Sequence, residues 1–170
     1  REKYSKILSN KVTEAMQNLS MKGGSFEVSL QPCEPCSMGL ERCEFLVAGH
    51  SGVTPRSLAK VASGGELSRI SLAISVITSH ATPVETLIFD EVDSGIGGAT
   101  ADVVGKLLRT LGKERQVLCV THQPQVACYG HQHLHVNKKD FNGQTISQII
   151  ELNSDERVEE IARMLGGQAI

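Results

Sequence analysis

The first twenty positions carry Tyr4, Leu8, Val12, Ala15, Met16 and Leu19 at helical spacing, with Lys, Glu, Gln and Asn between them. The period is helical and leaves one apolar stripe. The segment has no N-terminal cap, as though the helix began upstream, and Met21-Lys22-Gly23-Gly24 supplies glycine where a helix C-terminus favours it. Phe26, Val28 and Leu30 then alternate with polar residues, which predicts a strand with one buried face. Glu44–Ala48 is its expected hairpin partner, and residues 50–56, with Gly52 and Pro55, predict a loop.

The second half changes rhythm. Thr86–Phe89 and Val117–Val120 are short unbroken apolar runs, the pattern of central strands covered on both faces. Between them Ala99–Leu111 carries Val103, Val104, Leu107, Leu108 and Leu111 on one helical side. Strand, helix and strand in that order predict a βαβ unit with parallel strands and a right-handed crossover. Leu134–Val136 and Thr145–Leu152 predict further strands around a turn at Asn142-Gly143. Asp155–Leu165 predicts a closing helix with Val158, Ile161, Ala162 and Leu165 inward, stopped by Gly166-Gly167. No internal repeat or low-complexity tract interrupts the pattern.

The 170 residues suffice for one domain with a small appendage. With 40% apolar residues and no Trp, the core is aliphatic. Seventeen Lys and Arg against nineteen Asp and Glu give −2, which excludes a simple polycationic nucleic-acid binder but leaves room for a local basic patch, with Lys60, Lys106, Arg109, Lys113, Arg115, Lys138 and Lys139 as candidates. No apolar run approaches the ~20 residues that span a bilayer, and the polar opening is not a signal peptide. A cytoplasmic protein with reduced cysteines is the expectation. Cys33, Cys36, Cys43 and His50 are either a zinc ligand set or part of a hairpin loop. His131, His133 and His135 alternate as a solvent-facing stripe, with metal binding as the alternative.

Three segments carry chemistry. Ser63-Gly64-Gly65-Glu66 opens the apolar helical run Ile70–Ile77; glycines there let a ligand approach the backbone, and free N–H groups with the helix dipole favour an anion. The same residues also read as an ordinary cap, with Ser63 as N-cap and Glu66 completing a capping box. Asp90-Glu91-Val92-Asp93 follows a buried strand directly, at the carboxyl edge where open α/β sheets bind ligands. Asp90 suits magnesium held through water, and Glu91 suits a water-positioning base; a solvated acidic turn is the alternative. His122 lies just past the next apolar run, at the same edge, as a hydrogen-bond partner for a terminal phosphate or as a structural histidine.

Together these segments resemble the second half of an ABC-type ATPase head. Ser63–Glu66 looks like the signature motif, Leu87–Glu91 like Walker B, Asp93–Gly98 like the D-loop and His122 like the switch histidine. Glu66 after the glycines and Val92-Asp93 after the glutamate match the SMC and DNA-repair branch rather than transporter subunits. The runs KVASGGELSRISLAI, LIFDEVDSGIGG, VVGKLLR, VTHQPQVA and EIARMLGG are similar to the bacterial RecN family over residues 57–167. The likeness weakens over residues 31–56.

The resemblance implies a P-loop NTPase lobe of the ABC/SMC type, α/β with a mostly parallel sheet and flanking helices, over residues 23–170. Residues 1–22 would be the base of a coiled-coil arm, followed by a β-hairpin. It implies ATP and Mg²⁺ as cofactors, Glu91 and His122 as catalytic residues, Asp90 as the metal ligand, and Ser63, Gly64, Gly65, Glu66 and Asp93 as nucleotide-binding residues. Its implied partners are the N-terminal lobe of the same head, a second head in a homodimer, and DNA, at the nucleoid and without a membrane. The chain contains no GxxxxGK[ST] phosphate loop, so the expectation is the second lobe of a head whose first lobe lies elsewhere. The alternative is a non-catalytic interaction module that keeps the motifs as a docking surface.

Overall fold

The computed structural model describes residues 1–61, 63–81, 84–141 and 144–166, and only the backbone of His80, Lys139, Asp140, Phe141 and Gln144. Ala62, the Asn142-Gly143 turn and Gly167 therefore lie outside the described residues.

Helix α1 (Glu2–Gln17) turns Val12 and Met16 fully inward. It ends earlier than the glycine pair suggests. Ser20 takes φ +65°, and Leu19 and Met21 both enter the core, which a continuing helix could not achieve for side chains two positions apart. The Gln17 side chain holds the exit, accepting from Gly23 N at 2.8 Å and donating to Gly24 O at 3.1 Å.

The hairpin forms as expected. Strands β1 (Ser25–Cys36) and β2 (Gly39–Ala48) are antiparallel, with Phe26 opposite Val47 and Val28 opposite Phe45. The two-residue β3 (Arg56–Ser57) pairs with β2. Helix α1 is pinned to β1 because Thr13 Oγ1 and Ser9 Oγ accept from the N–H groups of Phe26 and Val28, both at 2.9 Å. Cys33, Cys36 and Cys43 lie on the exposed far part of this hairpin as free thiols. Among the described residues no three His, Cys, Asp or Glu are grouped to hold a metal.

Helix α2 (Gly64–Ile77) leads through a short 3₁₀ turn towards β4 (Thr86–Phe89). Then follow α3 (Gly98–Leu111), β5 (Gln116–Cys119) and the single turn α4 (Pro124–Ala127). β4 and β5 are parallel, Phe89 opposite Cys119, as the βαβ pattern predicts. Among the described residues parallel pairing is confined to these strands; the other sheets are antiparallel.

The expectation that both faces of β4 and β5 are covered does not hold among the described residues. Leu87, Phe89, Val117 and Cys119 join the core, but Ile88, Leu118 and Val120 on the opposite face are 70%, 44% and 64% exposed. The apolar run encodes two buried faces, and the described chain supplies elements for one.

Strands β6 (Leu134–Phe141) and β7 (Gln144–Glu151) form a second hairpin, followed by α5 (Ser154–Met164). Two expectations need correction here. Helix α5 does not turn Val158, Ala162 and Leu165 inward; these are exposed, and Arg157 and Glu160 face the body instead. The carboxyl end of α4 presents unsatisfied carbonyls, and Arg157 answers them, donating to Cys128 O at 2.9 Å and Gly130 O at 2.7 Å. That demand sets the rotation of the helix. His133 and His135 are likewise not a solvent-facing stripe: His135 Nδ1 sits 3.6 Å from Glu160 Oε2, and burial holds the His133 imidazole below its ordinary pKa. No helix among the described residues is long and apolar enough to cross a membrane.

Candidate nucleotide site at the sheet edge

The three chemical segments converge at the carboxyl ends of β4 and β5. Ser63 caps α2, its hydroxyl accepting from Glu66 N at 3.3 Å. This is half of the capping box. The Glu66 carboxylate turns instead towards His50, 3.8 Å from its Nε2. Gly64 and Gly65 form the first turn of α2, and Gly65 is held tightly by what lies against it, while Gly64 faces the flexible end of the Glu91 side chain. A β-carbon on Gly64 would stand 2.5 Å from Glu91 Oε2, and one on Gly65 would meet Ser94 Cβ and Ser94 O at 3.0 Å.

Asp90 and Glu91 are exposed beyond β4. Asp90 Oδ1 accepts from Glu91 N at 2.9 Å, and Ser68 Oγ on α2 donates to Asp90 O at 2.7 Å. Glu91 has φ +56°, in the left-handed region that a non-glycine residue rarely adopts and that costs ~1–2 kcal/mol. This backbone turn accompanies the approach of the Glu91 carboxylate to Gly64. A carboxylate oxygen of Glu91 thus lies beside the first residue of α2, the helix end where the dipole favours an anion.

Asp93 differs from the other acids. It is 1% exposed, and its Oδ2 accepts from Thr121 Oγ1 at 2.5 Å and from the backbone N–H groups of His122 and Gln123 at 3.0 and 3.2 Å. His122 projects from this loop with its side chain 69% exposed and Nδ1 3.5 Å from Asp93 Oδ2. Gln123 Nε2 returns a bond to Ile96 O at 3.0 Å, closing the 93–96 turn onto the 121–123 loop.

Arg69 joins the site although no motif along the chain marks it. It is 5% exposed, and its Nη1 donates to Ser94 O at 2.8 Å. Its signal was present in the helical period: Gly65, Arg69, Leu72 and Ala73 share the buried stripe of α2, so a cation occupies a core position. Burial pulls its guanidinium below the ordinary arginine value, against the opposing pull of Glu66. Three basic candidates for nucleic-acid contact are engaged within the chain: Lys106 pairs with Asp102 at 2.7 Å, Arg109 donates to Tyr129 O at 3.1 Å, and Arg115 to Val84 O at 3.1 Å.

Cys119 ends β5 just beneath the site. Burial, reinforced by Asp93 and Asp90, pushes its thiol up to about 12. Only roughly 10⁻⁴ of it is ionised at about pH 8. Iodoacetamide at that pH should therefore label Cys33, Cys36, Cys43 and Cys128, all exposed, and reach Cys119 only in denaturant. Mass-spectrometric mapping reads this directly, and native labelling of Cys119 at the rate of the others would contradict its burial.

No family model matches the chain. The DNA repair protein RecN of Xylella fastidiosa (strain 9a5c) is 54% identical over 170 residues, covering 98% of this chain and 30% of that protein. RecN of Vibrio cholerae (serotype O1, strain El Tor Inaba N16961) is 48% identical over 172 residues, covering 100% and 31% respectively. The chain thus spans about three-tenths of the length of the relatives it matches. Among solved structures, the Smc head domain with a coiled coil and joint from Pyrococcus yayanosii superposes with a TM-score of 0.69 at 20% identity, over 95% of this chain and 30% of that one. A chain from structural work on ATP-driven dimerisation and DNA-stimulated activation of SMC ATPases gives 0.58 at 21% identity, over 98% and 96%. By sequence, therefore, the chain belongs with the RecN proteins, as a C-terminal segment of them, and its fold is like that of SMC/ABC ATPase heads.

Proposed function

We propose that this chain is the C-terminal lobe of an ATP-hydrolysing head in a RecN-like protein of DNA double-strand-break repair and recombination, working at the nucleoid in the cytoplasm. The observation that carries the proposal is the meeting of the α2 start, the acidic turn after β4 and the His122 loop at one sheet edge, with Glu91 Oε2 reaching the β-position of Gly64. An anionic oxygen already fits there, so the residues suit a phosphate.

In this reading Asp90, whose second carboxylate oxygen is open, holds Mg²⁺ through water. Glu91 orients the attacking water and takes its proton, and His122 hydrogen-bonds the terminal phosphate. Ser63, Gly64 and Gly65 offer N–H and hydroxyl donors to a phosphate presented by a second head. Bound Mg-ATP supplies a phosphoanhydride and a cation that screens its charge. The phosphate loop would come from an N-terminal lobe. The exposed Ile88, Leu118 and Val120 give that lobe an apolar face to cover. ATP-driven head dimerisation, described for SMC ATPases, supports the second head as partner. DNA is the proposed further partner, on the RecN likeness. The α1 segment would continue into a coiled-coil arm.

Ser63→Arg tests the arrangement in trans. In the complete head it should weaken head-to-head association ~10-fold or more, about 1.4 kcal/mol, while a single head still binds nucleotide. The loss of the cap costs a further ~1 kcal/mol of stability, so Ser63→Ala serves as the control. Sedimentation with a non-hydrolysable ATP analogue gives the dimer fraction; equal fractions for Ser63→Arg and the parent would sink the assignment.

A further inference from the structure

Two buried charged side chains, Arg69 and Asp93, fasten adjacent residues of one turn to elements on its two sides. From α2, Arg69 Nη1 holds the Ser94 carbonyl at 2.8 Å. From the turn itself, Asp93 Oδ2 gathers the Thr121 hydroxyl and the N–H groups of His122 and Gln123. The first turn of α2 is tight against this point: the β-position of Gly65 lies 3.0 Å from Ser94 O and 3.1 Å from Arg69 Nη1. The Asp93-Ser94 segment is therefore tied to α2 through the Ser94 carbonyl on one side and to the His122 loop through the Asp93 carboxylate on the other.

The arrangement is costly for a merely structural one. Arg69 sits on a stripe where Leu72 and Ala73 pack without polar groups, and its Nε is buried with no acceptor among the described residues. A buried cation with an unanswered donor is unfavourable unless it specifies something. What it specifies here is the position of one carbonyl.

We infer that Arg69 and Asp93 are positioning residues that transmit the state of the α2 start to His122. The inference rests on the ATPase reading above. It also assigns Asp93 to the protein's own loop rather than to the nucleotide: the residue is 1% exposed and its Oδ2 already accepts from three donors of that loop. A ligand that draws the α2 start forward moves Ser94 with it, Asp93 follows, and His122 is carried to or from its place. Buried hydrogen-bonded charges transmit such shifts well, because in low dielectric the bonds stretch reluctantly.

The test uses Arg69→Met, which keeps volume and removes the donor, beside Arg69→Lys and Asp93→Asn. In ¹H–¹⁵N spectra of this chain, Arg69→Met should shift the amide resonances of His122 and Gln123, to which Arg69 donates no bond. Arg69→Lys should restore them. In the complete head, Arg69→Met and Asp93→Asn should each lower kcat ~10-fold with KM held within ~2-fold. Unmoved His122 and Gln123 resonances would overturn the inference, and so would a rise in KM at constant kcat, which would put Asp93 on the nucleotide. Should Arg69→Met not fold, Asp93→Asn is followed from the other end, through the amides of Gly64 and Gly65, and their failure to shift counts equally against it. The ATPase reading fails separately, if Glu91→Gln leaves turnover unchanged whatever the spectra show.

Discussion

Glu91→Gln in the complete head is expected to slow ATP hydrolysis ~10²- to 10⁴-fold, the usual worth of a positioned base, with nucleotide binding largely retained. Glutamine has the same length and can occupy the same place against Gly64 and the same left-handed backbone at φ +56°. The substitution therefore removes proton acceptance and charge but little geometry. Neighbouring Asp90, the proposed metal holder, keeps its Oδ1 bond from the Glu91 N–H. Losing the negative charge beside the α2 start should, if anything, favour an incoming phosphate. Steady-state phosphate release gives the rate, and fluorescent-nucleotide titration gives the affinity. Unchanged turnover would remove Glu91 from the reaction. Collapse of binding together with the rate would make it a ligand-holding residue instead.

The second large effect is a loss of activity in the chain by itself. Alone it should not turn over ATP appreciably, and Mg-ATP should bind at around millimolar or weaker, about −4 kcal/mol. The donors at the α2 start are few: the Ser63 hydroxyl already accepts from Glu66 N, and a carboxylate oxygen of Glu91 lies at Gly64. The helix dipole adds only ~0.3–1 kcal/mol. Most phosphate binding energy in such sites comes from the N–H cradle and lysine of a phosphate loop, and no such motif occurs in these 170 residues. Adding a separately produced N-terminal lobe should restore hydrolysis, and replacing that lobe's phosphate-loop lysine should abolish it again. Calorimetric titration of this chain with Mg-ATP is the direct check. Micromolar affinity, or turnover that survives Glu91→Gln, would mean that the phosphates sit elsewhere.

Much of the candidate site is legible in the sequence because its parts are local. A cap residue followed by glycines marks the start of α2 whatever surrounds it, and the Ser63 hydroxyl does accept from Glu66 N. Acids placed directly after one apolar run and a histidine directly after the next must share a sheet edge if the runs pair in parallel, and Phe89 does face Cys119. The hairpin itself follows from the alternation of Phe26, Val28 and Leu30, and it forms with Phe26 opposite Val47 and both buried.

Other features could not be read, because they depend on what each element packs against. The run Thr86–Phe89 calls for two buried faces, but exposure depends on neighbours, and Ile88 finds none in the described chain. The apolar pattern of α5 points Val158 and Leu165 inward, yet the carbonyls ending α4 need donors more than the core needs two further aliphatic groups, and Arg157 takes the inner side. The end of α1 is set by the burial of both Leu19 and Met21. The roles of the acids divide in the same way. Asp90, Glu91 and Asp93 look alike along the chain, but the fold leaves two in solvent and buries the third beneath three donors. By itself the sequence determined the elements, the order of the motifs and the edge on which they meet, since hydrophobic period and capping chemistry act over a few residues. Only the tertiary structure decided which faces stay open, which acid holds a loop and that Arg69 joins the α2 start to the turn beyond β4, because these follow from contacts between residues about 25 or more positions apart that no local pattern encodes.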